Sequence, residues 1–234
     1  MFVVKLLLAV VKIWSRYMKN KILKAFELKK IQVCDNGERL ISPPKDGSEV
    51  IYDYRRVYSE IQEVLLRESL VVMLNRVQGR LKQQNADMQL LVVEGYRSPE
   101  YQEHYYLKEL YQYSRAHPEL DFEQLLEETH KFVALPSVAG HPTGGAVDIT
   151  LAINGREIAM GGNIADFSQP ELLPTFSSLV TSEQAYMRLL LHDAMVEEGF
   201  APFYGEWWHY SFGDREWAAF YGLSKTIYAP IYVI

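Results

Sequence analysis

Two short stretches concentrate the residue types that perform chemistry. The first is His141-Pro142-Thr143-Gly144-Gly145, which runs directly into Ala146-Val147-Asp148-Ile149. Asp148 interrupts an apolar run, and a carboxylate there is unfavourable unless it is paired or bound to a metal. A loop histidine followed by a strand-borne aspartate supplies two of the ligands zinc accepts, imidazole nitrogen and carboxylate oxygen. Backbone amides of the glycine loop would satisfy the same carboxylate, so spacing alone leaves both readings open. The second stretch is Glu206-Trp207-Trp208-His209-Tyr210. His209 can serve as a third ligand, Glu206 as a base near the metal, and the paired tryptophans as a shield against water. In a regular strand, residues three apart point to opposite faces. Glu206 and His209 therefore share one site only if the backbone departs from strand geometry. The alternative is an aromatic core cluster with two polar residues at its edge.

Glu94 and Arg97 complete the set. A turn at Gly95 puts Arg97 at the rim of a sheet, where loops carry function. An arginine there holds a carboxylate or stabilises a developing oxyanion; an ordinary salt bridge with Glu94 uses the same residues. The other histidines, His104, His117, His130 and His192, lie in polar or amphipathic helical surroundings and carry no functional signal.

These residues need elements to position them. Residues 89–93 are a short valine-rich run, the pattern of a buried strand ending at Glu94. Ser98-Pro99-Glu100 reads as a helix start, and residues 101–131 as helical in pieces. Residues 136–145 hold two prolines and three glycines and form a loop. Residues 146–151 read as the next strand, and Asn154-Gly155 as a hairpin turn. Residues 161–174 are again a loop. Thr181 with Gln184 fits a capping box. Met187, Leu190, Leu191 and Ala194 line one helical face, and Gly199 is a fitting stop. Residues 206–212 read as extended. Upstream, Leu70, Leu74, Val77 and Leu81 recur on one face of a helix expected over residues 53–81. Helices and strands mix without regular alternation, which makes the class α+β.

The 234 residues are 48% hydrophobic and 23% charged, enough to bury a sizeable core. With 24 basic against 30 acidic residues there is no basic footprint for nucleic acid. Cys34 alone excludes an internal disulfide and a cysteine-rich zinc site. No apolar run reaches the roughly 18 residues of a spanning helix. Phe2 to Trp14 is apolar but interrupted by Lys5 and Lys12, and Arg16, Lys19, Lys21 and Lys24 follow. A secretory signal carries its charge before the apolar stretch and ends in a small-residue cleavage site; neither is visible. Residues 1–26 read either as a basic amphipathic helix lying on a membrane surface or as a helix packed on the domain or a poorly ordered extension. Residues 36–49, with Pro43-Pro44 at their middle, read as a linking loop.

Taken together, Glu94-Gly95-Tyr96-Arg97, His141-x6-Asp148 within GHPTGGAVD, and Glu206-Trp207-Trp208-His209 resemble, in order and spacing, the VanX-type D-alanyl-D-alanine dipeptidases. These are zinc metallopeptidases that share a fold with murein D,D-carboxypeptidases and the hedgehog signalling domain. The resemblance covers roughly residues 53–221. It implies a single hedgehog/DD-peptidase-like domain over residues 51–234, an antiparallel sheet flanked by helices, after a basic extension and linker over residues 1–50. It implies His141, Asp148 and His209 as ligands of one zinc ion, Glu206 as general base and acid, and Arg97 as oxyanion stabiliser. The implied reaction is hydrolysis of D-Ala-D-Ala in cell-wall peptide metabolism, in a cytoplasmic enzyme. The alternatives are a D,D-carboxypeptidase or endopeptidase on longer murein peptides, a non-catalytic zinc-bearing module, and a periplasmic or membrane-associated location. Two positions depart from the pattern. The family has serine two residues before the first histidine, where Ala139 stands. The family also has Met-Gly-x-x-Phe-Asp, whose aspartate meets the substrate amine. Here Met160-Gly161 leads to Ile164-Ala165, and Asp166 matches only with a one-residue insertion.

Overall fold

A computed structural model describes residues 22–44, 48–53 and 62–232. Residues 1–21, which carry most of the expected membrane-surface helix, lie outside the described residues. The six-stranded sheet is built from β2 (Ile51–Tyr52), β4 (Met88–Glu94), β5 (Ala146–Ile153), β8 (His209–Ser211) and β7 (Ala201–Pro202), in that order, with β6 (Arg156–Glu157) also paired to β5. A separate pair joins β1 (Leu40–Ile41) to β3 (Leu66–Arg67). The α+β class expected from the sequence is the one observed. The sheet departs from the expectation in one pair: β2 runs parallel to β4, and the other pairs are antiparallel.

β4 and β5 form the centre because both are apolar on both faces, and nearly every residue in each is buried. One face of the sheet is covered by α2 (Glu68–Gln84), which buries Leu70, Leu74, Val77 and Leu81, the stripe expected from their spacing. Beside it packs α5 (Ser182–Glu197), capped by the Thr181–Gln184 box. Gly199 follows with φ of 94°. Residues 54–61 of the helix expected over 53–81 lie outside the described residues; residues 62–67 are not helical, and α2 begins at Glu68. Arg67 stays extended, with ψ of 139°, because its backbone N–H and guanidinium bond Gly144 O and Thr143 O in the glycine loop. Helical backbone at Arg67 would break both contacts.

The opposite side carries α3 (Pro99–Ala116) and α4 (Phe122–His130). Ser98 caps α3 by accepting from Tyr101 N–H, and Asp121 caps α4 with Gln124. The Asn154-Gly155 turn forms as expected, with φ of 51° and 72°, and returns the chain from β5 to β6. Residues N-terminal to the sheet pack on the loop and helix beside the site. Leu23, Ala25 and Leu28, around α1 (Ala25–Leu28), are buried with Val138 near α6 (Arg215–Phe220). No helix among the described residues is long and apolar enough to cross a membrane.

Candidate active site

The site is a row of side chains across three strands, and register creates it. Asp148 on β5 faces His209 on β8 and, on its other side, Glu94 on β4. Directly opposed residues in a sheet share a face. The β4–β5 ladder pairs Val92 with Ile149, then skips to Glu94 with Asp148. Val93 is the extra residue of a β-bulge. In a regular ladder Val93 would stand opposite Asp148, and Glu94 would point elsewhere. Bulges re-aim side chains in this way next to functional sites.

His141 joins the row from the glycine loop. It begins a single 3-10 turn, His141–Thr143, closed by Gly144 at φ of 71°. The His141 Nδ1 lies 2.6 Å from Gly95 O. That carbonyl accepts from Nδ1–H, which leaves Nε2 as the free lone pair, pointing to Asp148 Oδ1 at 3.4 Å. The His209 Nδ1 lies 3.0 Å from the same oxygen. The two imidazoles stand nearly edge to face, with centroids 4.9 Å apart. One ligating atom from each of His141, Asp148 and His209 lies within 4.8 Å of the others. All three are side chains zinc accepts, and the outer nitrogen of His141 is already held by a carbonyl, as metal-binding histidines usually are. The donor set fits a zinc ion. Burial works against ionisation of Asp148, but the charges and hydrogen bonds of His141, then His209, hold it well below the usual carboxylate range.

Arg97 is clamped beside this cluster. Its Nε and Nη2 donate to the two oxygens of Glu94 at 2.9 and 2.6 Å, and Nη1 donates to Gln102 Oε1 at 2.9 Å. Burial disfavours the charge of Arg97, yet the Glu94 carboxylate raises its pKa further. Of the five N–H groups of a guanidinium, three are occupied in these bonds. The remaining N–H groups sit on a residue that lines the same pocket as His141, Asp148, His209 and Glu206. The Glu94–Arg97 salt bridge and the site role are thus the same arrangement. Gly95 has to be glycine, because a Cβ there would lie 2.4 Å from Leu65 O.

Glu206 reaches the pocket because residues 206–208 are not a strand. The extended reading of residues 206–212 holds only for His209–Ser211. Phe203 N–H donates to His209 O, Glu206 N–H to Phe203 O, and His209 N–H to Glu206 O. This closes the β7–β8 connection into tight turns and removes the three-residue parity problem. Both side chains line one pocket, with Trp208; Trp207 lies across the sheet beneath Arg188, and its backbone bonds Leu173 O. Burial pushes the Glu206 pKa well up, and the Asp148 charge adds to it.

Asp166 does not join these residues. Its carboxylate accepts from Ser168 N–H and from Asn163, outside the pocket, while Ala165 and Phe167 line it. Ala165 takes φ of 57°, a strained value for alanine that swings the loop between them. Ala139 also lines the pocket. Residues without a signal in the sequence complete the walls. Gln102 and Tyr105 come from α3, with the Arg97 guanidinium 5.3 Å from the Tyr105 ring centre. Helical spacing after Pro99 places Gln102 and Tyr105 on one face, the one signal available for them. His130 also lines the pocket, its Nδ1 accepting from Leu135 N–H, and Glu216 joins the lining from α6.

The chain belongs to the D-ala-D-ala dipeptidase family of peptidases, whose profile matches residues 53–227. A D-alanyl-D-alanine dipeptidase of Synechocystis sp. (strain ATCC 27184 / PCC 6803 / Kazusa) is 36% identical over 88 residues, 33% of this chain and 36% of that protein. The match thus spans about a third of that relative's length. Among solved structures, the LdcB LD-carboxypeptidase aligns at TM-score 0.46 and 18% identity, over 84% of this chain and 86% of that one. VanYB in complex with D-alanine-D-alanine aligns at 0.41 and 19%, over 77% and 88%.

Proposed function

We propose that this chain is a zinc-dependent hydrolase of D-Ala-D-Ala, with one zinc ion held by His141, Asp148 and His209. The reading is carried by one observation: those three residues, Glu206 and Arg97 line a single pocket. Zinc at such a site supplies Lewis-acid polarisation of the scissile carbonyl and makes a water nucleophilic near neutral pH. The protein's own groups do the rest. Of the two pocket carboxylates outside the ligand set, Glu206 and Glu216, Glu206 is the one whose charge is coupled to the ligand Asp148. It takes the proton of the attacking water and returns it to the leaving amine. Its raised proton affinity suits a group that must hold that proton between the two transfers. Arg97, immobilised by Glu94 and Gln102, offers its remaining N–H groups to the oxyanion without having to reorganise. Trp208 and Phe167 exclude bulk water.

A cytoplasmic enzyme that consumes the free dipeptide is the setting we infer. A second reading, a carboxypeptidase on longer murein peptides, is favoured by Asp166 lying outside the pocket, since no carboxylate from that loop stands ready for a free amine. An assay of the zinc-loaded protein against D-Ala-D-Ala, L-Ala-L-Ala and a murein pentapeptide ending in D-Ala-D-Ala separates the two. The dipeptidase reading expects the free D,D-dipeptide to be cleaved fastest. Preference for the pentapeptide makes the second reading correct, and zinc binding without cleavage of any of the three overturns both.

A further inference from the structure

Three carboxylates line the pocket: Asp148, Glu206 and Glu216. The first two have roles in the reaction proposed above. Glu216 has none, and it comes from an element, α6, that contributes no other side chain to the pocket. Its surroundings are unusual for a charged residue. Among the described residues no hydrogen bond or ion pair reaches its carboxylate. Burial, and then the nearby Asp214, push it up to about 8. Glu216 lines the same pocket as Glu206, and its charge is among those that raise the Glu206 pKa. Arg97, the one arginine lining the pocket, spends three of its N–H groups on Glu94 and Gln102 and forms no ion pair with Glu216.

A half-buried carboxylate in a pocket wall, with no cationic side chain of the described residues paired to it, gains a partner when a ligand brings an ammonium. Carboxylates buried away from water are paired in folded proteins, and Glu216, which lines the pocket, has no such partner among the described residues. The loop that could have supplied an acid presents Ala165 there instead, with Asp166 turned away to Asn163 and Ser168. Resting on the peptidase reading above, we propose that Glu216 is the specificity-determining residue that receives the free α-ammonium of the substrate. The substrate class is then a short peptide with an unblocked N-terminus. Residues of a longer chain N-terminal to the scissile bond would have to bury a neutral amide against Glu216, with no charge to offset it.

The test compares D-Ala-D-Ala with N-acetyl-D-Ala-D-Ala in the zinc-loaded full-length protein and in Glu216→Gln and Glu216→Asp. A charge-assisted hydrogen bond is worth about ten- to a hundredfold in affinity. Glu216→Gln should raise KM for the free dipeptide by that factor and leave kcat nearly unchanged. Glu216→Asp should recover part of the loss. The acetylated peptide should bind weakly to the parent and be indifferent to either substitution. Calorimetric titration with the phosphinate analogue of D-Ala-D-Ala, free and N-acetylated, reads the same discrimination without turnover. Equal losses for free and acetylated ligands, or no loss for the free one, overturn the proposal. Should the parent cleave neither peptide while the titrations still show an amine preference abolished by Glu216→Gln, the hydrolase reading falls and the ammonium site stands.

Discussion

The two walls of the pocket are built on different principles. One wall is sheet: Asp148 and His209 on paired strands, His141 in a turn bonded to Gly95, and Arg97 fixed at two of its nitrogens by Glu94. Each polar group there is held by another, and all but His209 are buried. The other wall is loop and helix end: Tyr105, Phe132 to Ala134, Ala165 and Phe167. It is held mainly by ring contacts, Phe132 with Phe167 at 6.3 Å and Phe167 with Trp208 at 6.5 Å. Groups that stabilise a transition state must be placed before the reaction begins, and hydrogen-bonded strands do that. Groups that select among substrates need only to fit, and loops can change without unfolding the sheet. Chemistry and selection are therefore separable in this molecule, and substitutions should show it.

The largest effect belongs to the sheet wall. His209→Ala should lose both bound zinc and turnover. Equilibrium dialysis should find an affinity loss beyond the roughly 10–100-fold that removal of an outer hydrogen bond costs a metal site. Retention of zinc at parental affinity would remove His209 from the ligand set. Next comes Glu206→Ala, which should keep zinc and lower kcat by ~10²–10⁴-fold, the usual contribution of a positioned general base. Hydrolysis at the parent rate would dismiss Glu206 as the base. Arg97→Ala should keep zinc and lower kcat by about 10²–10³-fold, as removal of an oxyanion donor does. A change confined to KM would move Arg97 from transition-state stabilisation to substrate holding. The smallest effect is expected on the loop wall at a residue that faces away from the pocket. Asp166→Asn should leave kcat and KM at parent values and stability within about ±0.5 kcal/mol, as for other surface changes. A large rise in KM would mean that the loop reseats on binding and that the two walls are not separable.

The amino-terminal region offers a second contrast. Basic residues and an apolar run suggest a surface helix over residues 1–26, but Leu23 and Ala25 are buried against Val138. At the end of that stretch Leu23 and Ala25 face the protein while Phe26 is exposed. Hydrophobic periodicity states that a face will be covered without naming what covers it.

Much of the candidate site is legible in the sequence. Asp148 in an apolar strand, a histidine in the glycine loop before it, and an arginine just past the preceding strand are local features of chain chemistry. The helix caps at Ser98 and Thr181 and the Asn154-Gly155 turn were equally local, and each formed as its residue types require. Three decisions belonged to the tertiary structure. The bulge at Val93 turns Glu94 toward Asp148, and it exists only because β4 pairs with a strand over fifty residues away. The turns across residues 203–208 let Glu206 and His209 share a pocket, and they are fixed by the pairing of β7 with β8. The strained backbone at Ala165 sends Asp166 outward, while α6 brings Glu216 in. Side-chain chemistry is a property of single residues and short patterns, so the sequence determines it. The direction in which a side chain points depends on strand register and loop conformation, which distant partners set.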